Sequence, residues 1–203
     1  MLNLVARHLA DSFRELPPPH HSALPQASIT AATDAGARTT SDECDAVVGG
    51  WYNIGPSDKK TAWWFWEAIT PENHPWAYTD GTPQRKIAAL ELYGTLLLYK
   101  FIVLRHPDLA TCVQIPLATD NRGNAYQVTN HKAKNDTAAA MLMEMALIQQ
   151  TNGCPLTLRH VYREHNEWAD QLTHRDSSGF SDSNRVRPDQ HAWMLLHKLE
   201  RTQ

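Results

Sequence analysis

The sequence contains few cysteines. Its 203 residues include three, Cys44, Cys112 and Cys154, which are far apart and lack the C-x-x-C spacing of many metal and redox motifs. We interpret them as reduced, buried, structural thiols, which are typical of a reducing compartment. This argues against a disulfide-stapled secreted fold, and we expect an intracellular protein, nuclear or cytoplasmic, that is not secreted.

The sequence also lacks a long apolar run and an excess of basic charge. No uninterrupted apolar stretch approaches 18 residues, so no membrane-spanning helix is predicted. The formal net charge of −3 argues against a strong generic hold on nucleic acid, although a local basic face is compatible with it. With 42% hydrophobic and 20% charged residues, the composition predicts one packed domain with tails, and we expect a monomer.

Both ends of the chain are predicted to lie outside the central domain. Residues 1–26 combine an amphipathic helical pattern with a proline-rich linker, and Asp11 and Glu15 argue against a transit peptide. Residues 27–174 are predicted to form the domain. Residues 175–203 are predicted to form a loop and a final amphipathic helix.

Hydrophobic periodicity divides the central domain into strands and helices. Strands are predicted at 27–34, 46–54, 61–69, 112–120 and 156–162, and helices at 84–104, at 137–150 and from 166 onward. The order β-β-β-α-β-α-β-α predicts an α/β fold with a hairpin-led mixed sheet and helices on its faces. The Gly49–Gly50 pair predicts a close backbone approach or a bulge. Asn121 to Asn124 are predicted to form a turn.

Two of these predicted strands end in the same dipeptide, Thr-Asp. If the strands are neighbours, the carboxylates of Asp34 and Asp120 lie together at one edge of the sheet. Like charges at that distance are unfavourable unless a cation neutralises them or one is protonated. Glu91 adds a third acid inside the apolar pattern of the long helix, where an unpaired carboxylate is costly. The sequence therefore predicts an acidic pocket.

The order of four acids along these elements resembles the ribonuclease H-like family. The local motifs that carry the resemblance are Thr33-Asp34-Ala35, Ala89-Leu90-Glu91-Leu92, Thr119-Asp120-Asn121 and Asn166-x-x-Ala169-Asp170-x-Leu172. More narrowly, residues 83–92 and 166–173 are similar to the ribonuclease H-like domain that follows reverse transcriptases in retroelements. The Trp-rich third strand and residues 178–180 are similar to dinoflagellate-type elements. Because no polymerase segment is present, we expect a domain detached from its polymerase.

The resemblance implies a five-stranded ribonuclease H-like sheet and a two-metal nuclease that hydrolyses the RNA strand of RNA–DNA hybrids. It implies that Asp34 bridges two Mg²⁺ ions, that Glu91 and Asp120 hold one, and that Asp170 holds the other. Carboxylates are the hard oxygen ligands that Mg²⁺ prefers, and Mn²⁺ is expected to substitute. The implied partners are a hybrid duplex and a reverse transcriptase. Nucleic-acid contacts are expected at Asn121, Asn124, Lys132, Lys134 and Asn166.

Several alternatives stay open at this point. Asp42 competes with Asp34 as the first acid, although an apolar strand precedes only Asp34. His165 is either a proton shuttle near the leaving group or an ordinary surface histidine. Two basic clusters are nucleic-acid contacts or plain solvated faces, one at Lys132 and Lys134, the other at Arg159, Arg163 and Arg175. The chain is alternatively an inactive binding module or another nuclease of the same fold.

Overall fold

A computed structural model describes residues 29–39, 44–107 and 114–188. The strands are β1 Ile29–Thr39, β2 Cys44–Ile54, β3 Trp63–Ile69, β4 Ile115–Thr119 and β5 Leu156–His160. The α-helices are α1 Ile87–Arg105, α2 Arg122–Asn130, α3 Asp136–Asn152 and α4 Glu167–Thr173. Short 3₁₀ turns lie at Pro75–Tyr78, Pro83–Lys86, Arg163–His165 and Asp182–Asn184. Both predicted terminal helices, Asp42 and Cys112 lie outside the described residues.

The strands form one mixed sheet with the order β3-β2-β1-β4-β5. The first three strands pair antiparallel, so β1 and β2 form the predicted hairpin. β4 pairs parallel with β1 and with β5, which requires helical crossovers between these strands. The predicted class, an α/β fold built on a mixed five-stranded sheet, is confirmed.

Alternation along the strands gives the sheet two apolar faces, each covered by helix. One face packs against α1, which in turn packs against α3, and its core includes Ala31, Val48, Phe65, Leu90, Leu97 and Met141. The opposite face is smaller and packs against α4 and Phe180, with Ala32, Trp51, Trp64, Ala169 and Leu172. Helices therefore lie on both faces, as predicted, and Trp51 and Trp64 serve core packing.

The central helix is more apolar than the sequence analysis recognised. The segment Pro83–Arg105 is long and apolar enough to cross a membrane by length and composition alone. Most of it is buried, because the sheet covers one side of α1 and α3 covers another. Its hydrophobicity is accounted for by packing in the core between these two layers.

Strand β1 is longer than predicted. The sequence pattern predicts an end at Asp34, because Gly36 to Thr39 carry no apolar pattern. The strand continues to Thr39 because β2 pairs with it along its whole length, from Ile29 opposite Ile54 to Thr39 opposite Cys44. Asp34 therefore lies inside the strand and not at its end.

Helix α2 was missed, and the observed order is β-β-β-α-β-α-α-β-α. The run Asn-Arg-Gly-Asn was predicted to be a turn. Asn121 is instead the N-cap of α2, since its side-chain oxygen accepts a hydrogen bond of 3.0 Å from the backbone N–H of Asn124. The residue types that favour turns also favour helix starts, and here the helix forms.

Two glycines let α4 lie directly on the sheet. A Cβ on Gly49 would meet the Leu172 side chain at 2.8 Å, and one on Gly36 would meet the Thr173 hydroxyl at 3.1 Å. The predicted close approach at Gly49–Gly50 is thus confirmed, and the strand pairing continues through both residues without a bulge. The short distance between α4 and β1 brings Asp170 of α4 toward Asp34.

The packed body continues past residue 174. The indole nitrogen of Trp64 donates to the carbonyl of Ser181 at 2.8 Å, and the backbone N–H of Val186 donates to the carbonyl of Trp64 at 2.7 Å. Phe180 is buried between Trp64 and Trp168. Residues 175–188 therefore cover the α4 face of β3.

Candidate active site

Three carboxylates from distant parts of the sequence converge at one place. Asp34 comes from the interior of β1, Asp120 follows the last residue of β4, and Glu91 lies in the second turn of α1. Because Ala32 and Ala118 are paired in parallel strands, Asp34 and Asp120 reach the same level of the sheet. One carboxylate oxygen from each of the three residues lies within 4.8 Å of the other two.

Two of these three carboxyl groups, Asp34 and Glu91, have a raised pKa. Burial is the main cause that raises the pKa of Asp34 to about 7, and the charge of Asp120 raises it further. Burial likewise raises the pKa of Glu91 to about 7, opposed by a hydrogen bond from Asn121 and assisted by the charges of Asp34 and Asp120. A bound cation would favour the ionised forms of both groups.

The acids fit a hard divalent cation. Among the described residues, no lysine, arginine or histidine nitrogen lies within 4.0 Å of a carboxylate oxygen of Asp34, Glu91 or Asp120. Three close carboxylates without a cationic side chain are unfavourable as they stand. An all-carboxylate donor set is the kind that Mg²⁺ and Mn²⁺ take, with water and phosphate oxygens as further ligands.

Two asparagines hold Glu91 in place. The amide nitrogen of Asn124 donates to the carbonyl of Ala88 at 2.8 Å and to a Glu91 oxygen at 3.4 Å. Asn121 caps α2 with its oxygen and hydrogen-bonds the Glu91 carboxylate. The start of α2 is thereby tied to the second turn of α1, which fixes the carboxylate beside Asp120.

Asp170 lines the same cleft but, unlike the other three acids, forms an ion pair among the described residues. The cleft encloses about 360 Å³ and its lining includes Asp34, Glu91, Asp120, Arg163 and Asp170. A guanidinium nitrogen of Arg163 lies 3.1 Å from an Asp170 oxygen, and the Arg163 side chain is 77% exposed. The predicted fourth acid is thus near the other three, but it already has a cationic partner.

Arg163 is the residue whose position the sequence reasoning missed. It was assigned to a basic cluster with Arg159 and Arg175. It lies in the 3₁₀ turn Arg163–His165 between β5 and α4, seven residues before Asp170. The only available signal was that this loop must pass the carboxyl ends of the parallel strands, where Asp120 also lies.

His165 lies in the same 3₁₀ turn and is exposed. The cleft lining does not include it. Its predicted role as a proton shuttle therefore depends on a substrate that reaches the turn.

The predicted nucleic-acid contacts divide into buried and exposed groups. Asn124 and Asn166 are each 1% exposed, and Asn166 donates to the carbonyl of Thr33 at 3.1 Å. The structure does not support a direct nucleic-acid contact for either side chain, because both are held inside the protein. Asn121 is partly buried against Glu91, whereas Lys132 and Lys134 are exposed after α2 and outside the cleft lining.

The sequence matches no family model, and no curated protein matches it in sequence. Similarity is found among solved structures. LC11-RNase H1 from a compost metagenome, in complex with an RNA/DNA hybrid, is 17% identical with a TM-score of 0.56, and the match covers 73% of this chain and 96% of that one. A second structure of LC11-RNase H1, a protein isolated from compost by a metagenomic approach, is also similar. It is 18% identical with a TM-score of 0.53, and the match covers 74% of this chain and 95% of that one.

The N-terminal RNase H domain of a Mycobacterium tuberculosis protein, fused to maltose-binding protein, is similar as well. It is 16% identical with a TM-score of 0.51, and the match covers 74% of this chain and 94% of that one. These matches span almost the whole of the compared chains at low identity, so what they establish is the architecture. The chain has the ribonuclease H-like fold.

Proposed function

We propose that this chain is a divalent-metal-dependent nuclease that hydrolyses the RNA strand of RNA–DNA hybrids. The observation that carries the proposal is the convergence of Asp34, Glu91 and Asp120 to within 4.8 Å without a cationic side chain among them. The similarity in fold to LC11-RNase H1, whose structure contains an RNA/DNA hybrid, supports the choice of substrate.

In this proposal Asp34, Glu91 and Asp120 hold one ion, and Asp34 and Asp170 hold a second. Mg²⁺ is the proposed ion, with Mn²⁺ as a substitute. Bound ions of this kind activate a water molecule and neutralise charge at the leaving oxygen. The asparagines at the start of α2 orient Glu91. His165, in the exposed 3₁₀ turn, is the proposed proton shuttle to the leaving group of a substrate that reaches this turn.

Arg163 has two proposed roles in this scheme. Its guanidinium occupies the cationic position beside Asp170 when no ion is bound there. Because the side chain is 77% exposed and has donors that Asp170 does not use, it is also open to a phosphate oxygen of the substrate. If the Arg163 guanidinium moved from Asp170 to a substrate phosphate, ion binding at Asp170 would be coupled to phosphate binding.

A second candidate function is an inactive binding module of the same fold. The Arg163–Asp170 ion pair favours it, because an internal cation beside the fourth acid reduces the need for a second metal ion. The retroelement origin, a reverse transcriptase partner, a monomeric state and an intracellular location remain proposals that depend on the sequence resemblance and composition.

The test is cleavage by the purified chain. Labelled RNA–DNA hybrid, duplex DNA and duplex RNA of one sequence are incubated with Mg²⁺ or Mn²⁺. We expect cleavage of the RNA strand of the hybrid, and a loss of more than about 100-fold in Asp120→Asn, because even outer partners of metal ligands cost about 10–100-fold.

Asp136→Asn is the matched control, since it removes the same charge from an exposed position in the first turn of α3. It should cleave like the wild type. Equal cleavage by Asp120→Asn and the wild type would contradict the proposal. Failure of the wild type to cleave the hybrid, in the presence of bound metal, would favour the inactive module.

A further inference from the structure

A smaller cavity opens beside the acidic cleft. It encloses about 80 Å³, and Arg175 and Asp45 are part of its lining. Both cavities share four lining residues, which are Gly36, Arg38, Thr173 and His174. The cavities are therefore contiguous, and the surface changes from acidic to basic across the end of α4.

The backbone at Arg175 is unusual for an arginine. Its φ is 58°, in the left-handed region where glycine is the common residue. It occupies the position just after the C-cap of α4, and its N–H donates to the carbonyl of Leu172 at 3.0 Å while Asp176 N–H donates to Gln171 at 3.2 Å. This is the Schellman arrangement, which most often has glycine at this position.

The side chain of Arg175 is held at the surface without being buried. A guanidinium nitrogen lies 2.6 Å from an oxygen of Asp45, and the guanidinium carbon lies 5.8 Å from the centre of the Trp66 ring. Arginine has five N–H donors, so this single ion pair leaves several of them available. Arg38 is opposite Asp45 in the strand pairing and is exposed on the same face of the sheet.

The basic surface continues from Arg175 along the α4 face. The guanidinium carbon of Arg185 lies 4.5 Å from the centre of the Trp66 ring and 5.3 Å from that of Trp64. Arg185 is held there because residues 185–186 form a bridge to β3 at Trp64. Arginines fixed over aromatic rings beside a cleft are the type of surface that binds a phosphate backbone.

We infer that Arg38, Arg175 and Arg185, with Trp66 between the last two, form a phosphate-binding track for the nucleic-acid strand that leaves the acidic cleft. The inference rests on the proposed function, since the strand is the one whose phosphodiester lies at Asp34. The cleft requires cations before it accepts a phosphate, whereas the track is already cationic. A strand that spans both therefore has neighbouring phosphates in two complementary sites.

The track includes Arg175 from one of the two basic clusters named in the sequence analysis, and it does not include the other cluster. Lys132 and Lys134 follow α2 and contribute to the lining of neither cavity. Because nucleic-acid contacts are also expected at these lysines, they are compared with the track as the competing cationic site.

The experiment measures equilibrium binding of a labelled RNA–DNA hybrid against salt concentration. A chelator is present, so that binding is separated from cleavage. Four proteins are compared with the wild type: Arg175→Gly, Arg38→Ala, Asp45→Asn, and the Lys132→Ala/Lys134→Ala double variant. Arg175→Gly is preferred to alanine because glycine suits the positive φ, so its melting temperature should stay at or above that of the wild type.

We expect Arg175→Gly and Arg38→Ala each to weaken binding about tenfold and to reduce the slope of log K against log salt by about 1. Asp45→Asn should bind as tightly as the wild type or more tightly, because it removes a negative charge from the track. If Arg175 served only its ion pair with Asp45, these two variants would behave alike, and that outcome would overturn the inference. A slope reduced only in the lysine double variant would overturn it too.

Cleavage of the hybrid in Mg²⁺ is measured separately for the wild type. If the wild type cleaves the hybrid, and Arg175→Gly and Arg38→Ala bind it as tightly as the wild type, the track is rejected and the proposed nuclease activity stands. If the wild type does not cleave the hybrid, and the two arginine variants bind it more weakly as expected, the proposed nuclease activity is rejected and the track stands.

Discussion

The four acids of the cleft are held in two different ways. Asp34, Glu91 and Asp120 are close together, form no ion pair among the described residues, and the Glu91 carboxylate is held by amides. Asp170 lies on a short helix, its side chain is 33% exposed, and it already pairs with Arg163. The difference indicates that the first three form a site that needs an external cation, whereas the fourth is satisfied until a second cation or a substrate displaces Arg163.

The largest loss of metal affinity is expected when an amide that holds the Glu91 carboxylate is removed. Asn124→Ala removes the donor that links α2 to Ala88 and Glu91, so the Glu91 carboxylate loses one of its two amide partners. We expect metal affinity to fall about 10–100-fold, as for other outer partners of metal ligands. Calorimetric titration with Mn²⁺ measures it.

Asn130→Ala is the control on the same helix, because its amide only bonds the carbonyl of Tyr126 at the exposed end of α2. It should bind Mn²⁺ like the wild type. If Asn124→Ala also did so, Glu91 would not depend on the amide, and the distinction between the two groups of acids would be lost.

An effect of similar size is expected from pH. The pKa of Asp34 and that of Glu91 are raised to about 7, so at pH 6 a cation must displace protons from both. For each such group, apparent metal affinity should rise about tenfold from pH 6 to pH 8. Titrations at these pH values test it, and Asp34→Asn should show a weaker dependence. Affinity that is independent of pH would contradict the assignment.

The raised pKa of Asp34 also predicts how the stability of the folded chain changes with pH. The pKa of Asp34 rises from 3.8 to about 7 on folding, so between these values the folded chain keeps a proton that the unfolded chain releases. The contribution of Asp34 to stability is full below about pH 4 and is lost as pH rises through 7. Thermal unfolding of the metal-free wild type, compared with Asp34→Asn, should show this loss.

The smallest effect is expected from the ion pair at the fourth acid. Arg163→Ala frees Asp170, and since the pair is largely exposed, the gain in affinity for a second ion should be only about two- to fivefold. Arg159→Ala is the matched control, because Arg159 is exposed on β5 and does not line the cleft. A weakened second site in Arg163→Ala would mean that Arg163 helps to hold the ion.

Much of the architecture follows from local pattern, but the details of the cleft do not. The apolar periodicity of α1 and the alternation in β5 predicted their elements, because such patterns depend on local sequence alone. The length of β1 beyond Asp34 depends on its pairing with β2, which no local pattern carries. The start of α2 was misinterpreted because Asn121 and Gly123 suit turns as well as helix ends.

The roles of polar residues were the hardest to predict. Asn124 and Asn166 were predicted to contact nucleic acid, whereas their amide nitrogens donate to groups distant in sequence, Glu91 and Thr33 respectively. Arg163 was placed in a general basic cluster because its proximity to Asp170 depends on how β5 leads into α4. Such assignments need tertiary contacts, which spacing alone does not supply.

The most direct test of the account is Mn²⁺ titration of the wild type and Glu91→Gln at pH 8, with Glu72→Gln as an exposed control. Glutamine keeps the size of the side chain and removes its charge. We predict at least one bound ion per chain for the wild type and for Glu72→Gln, and an affinity more than about tenfold weaker for Glu91→Gln. Equal affinity in all three proteins, or no binding by the wild type, would contradict the claim that these remote carboxylates form one cation site.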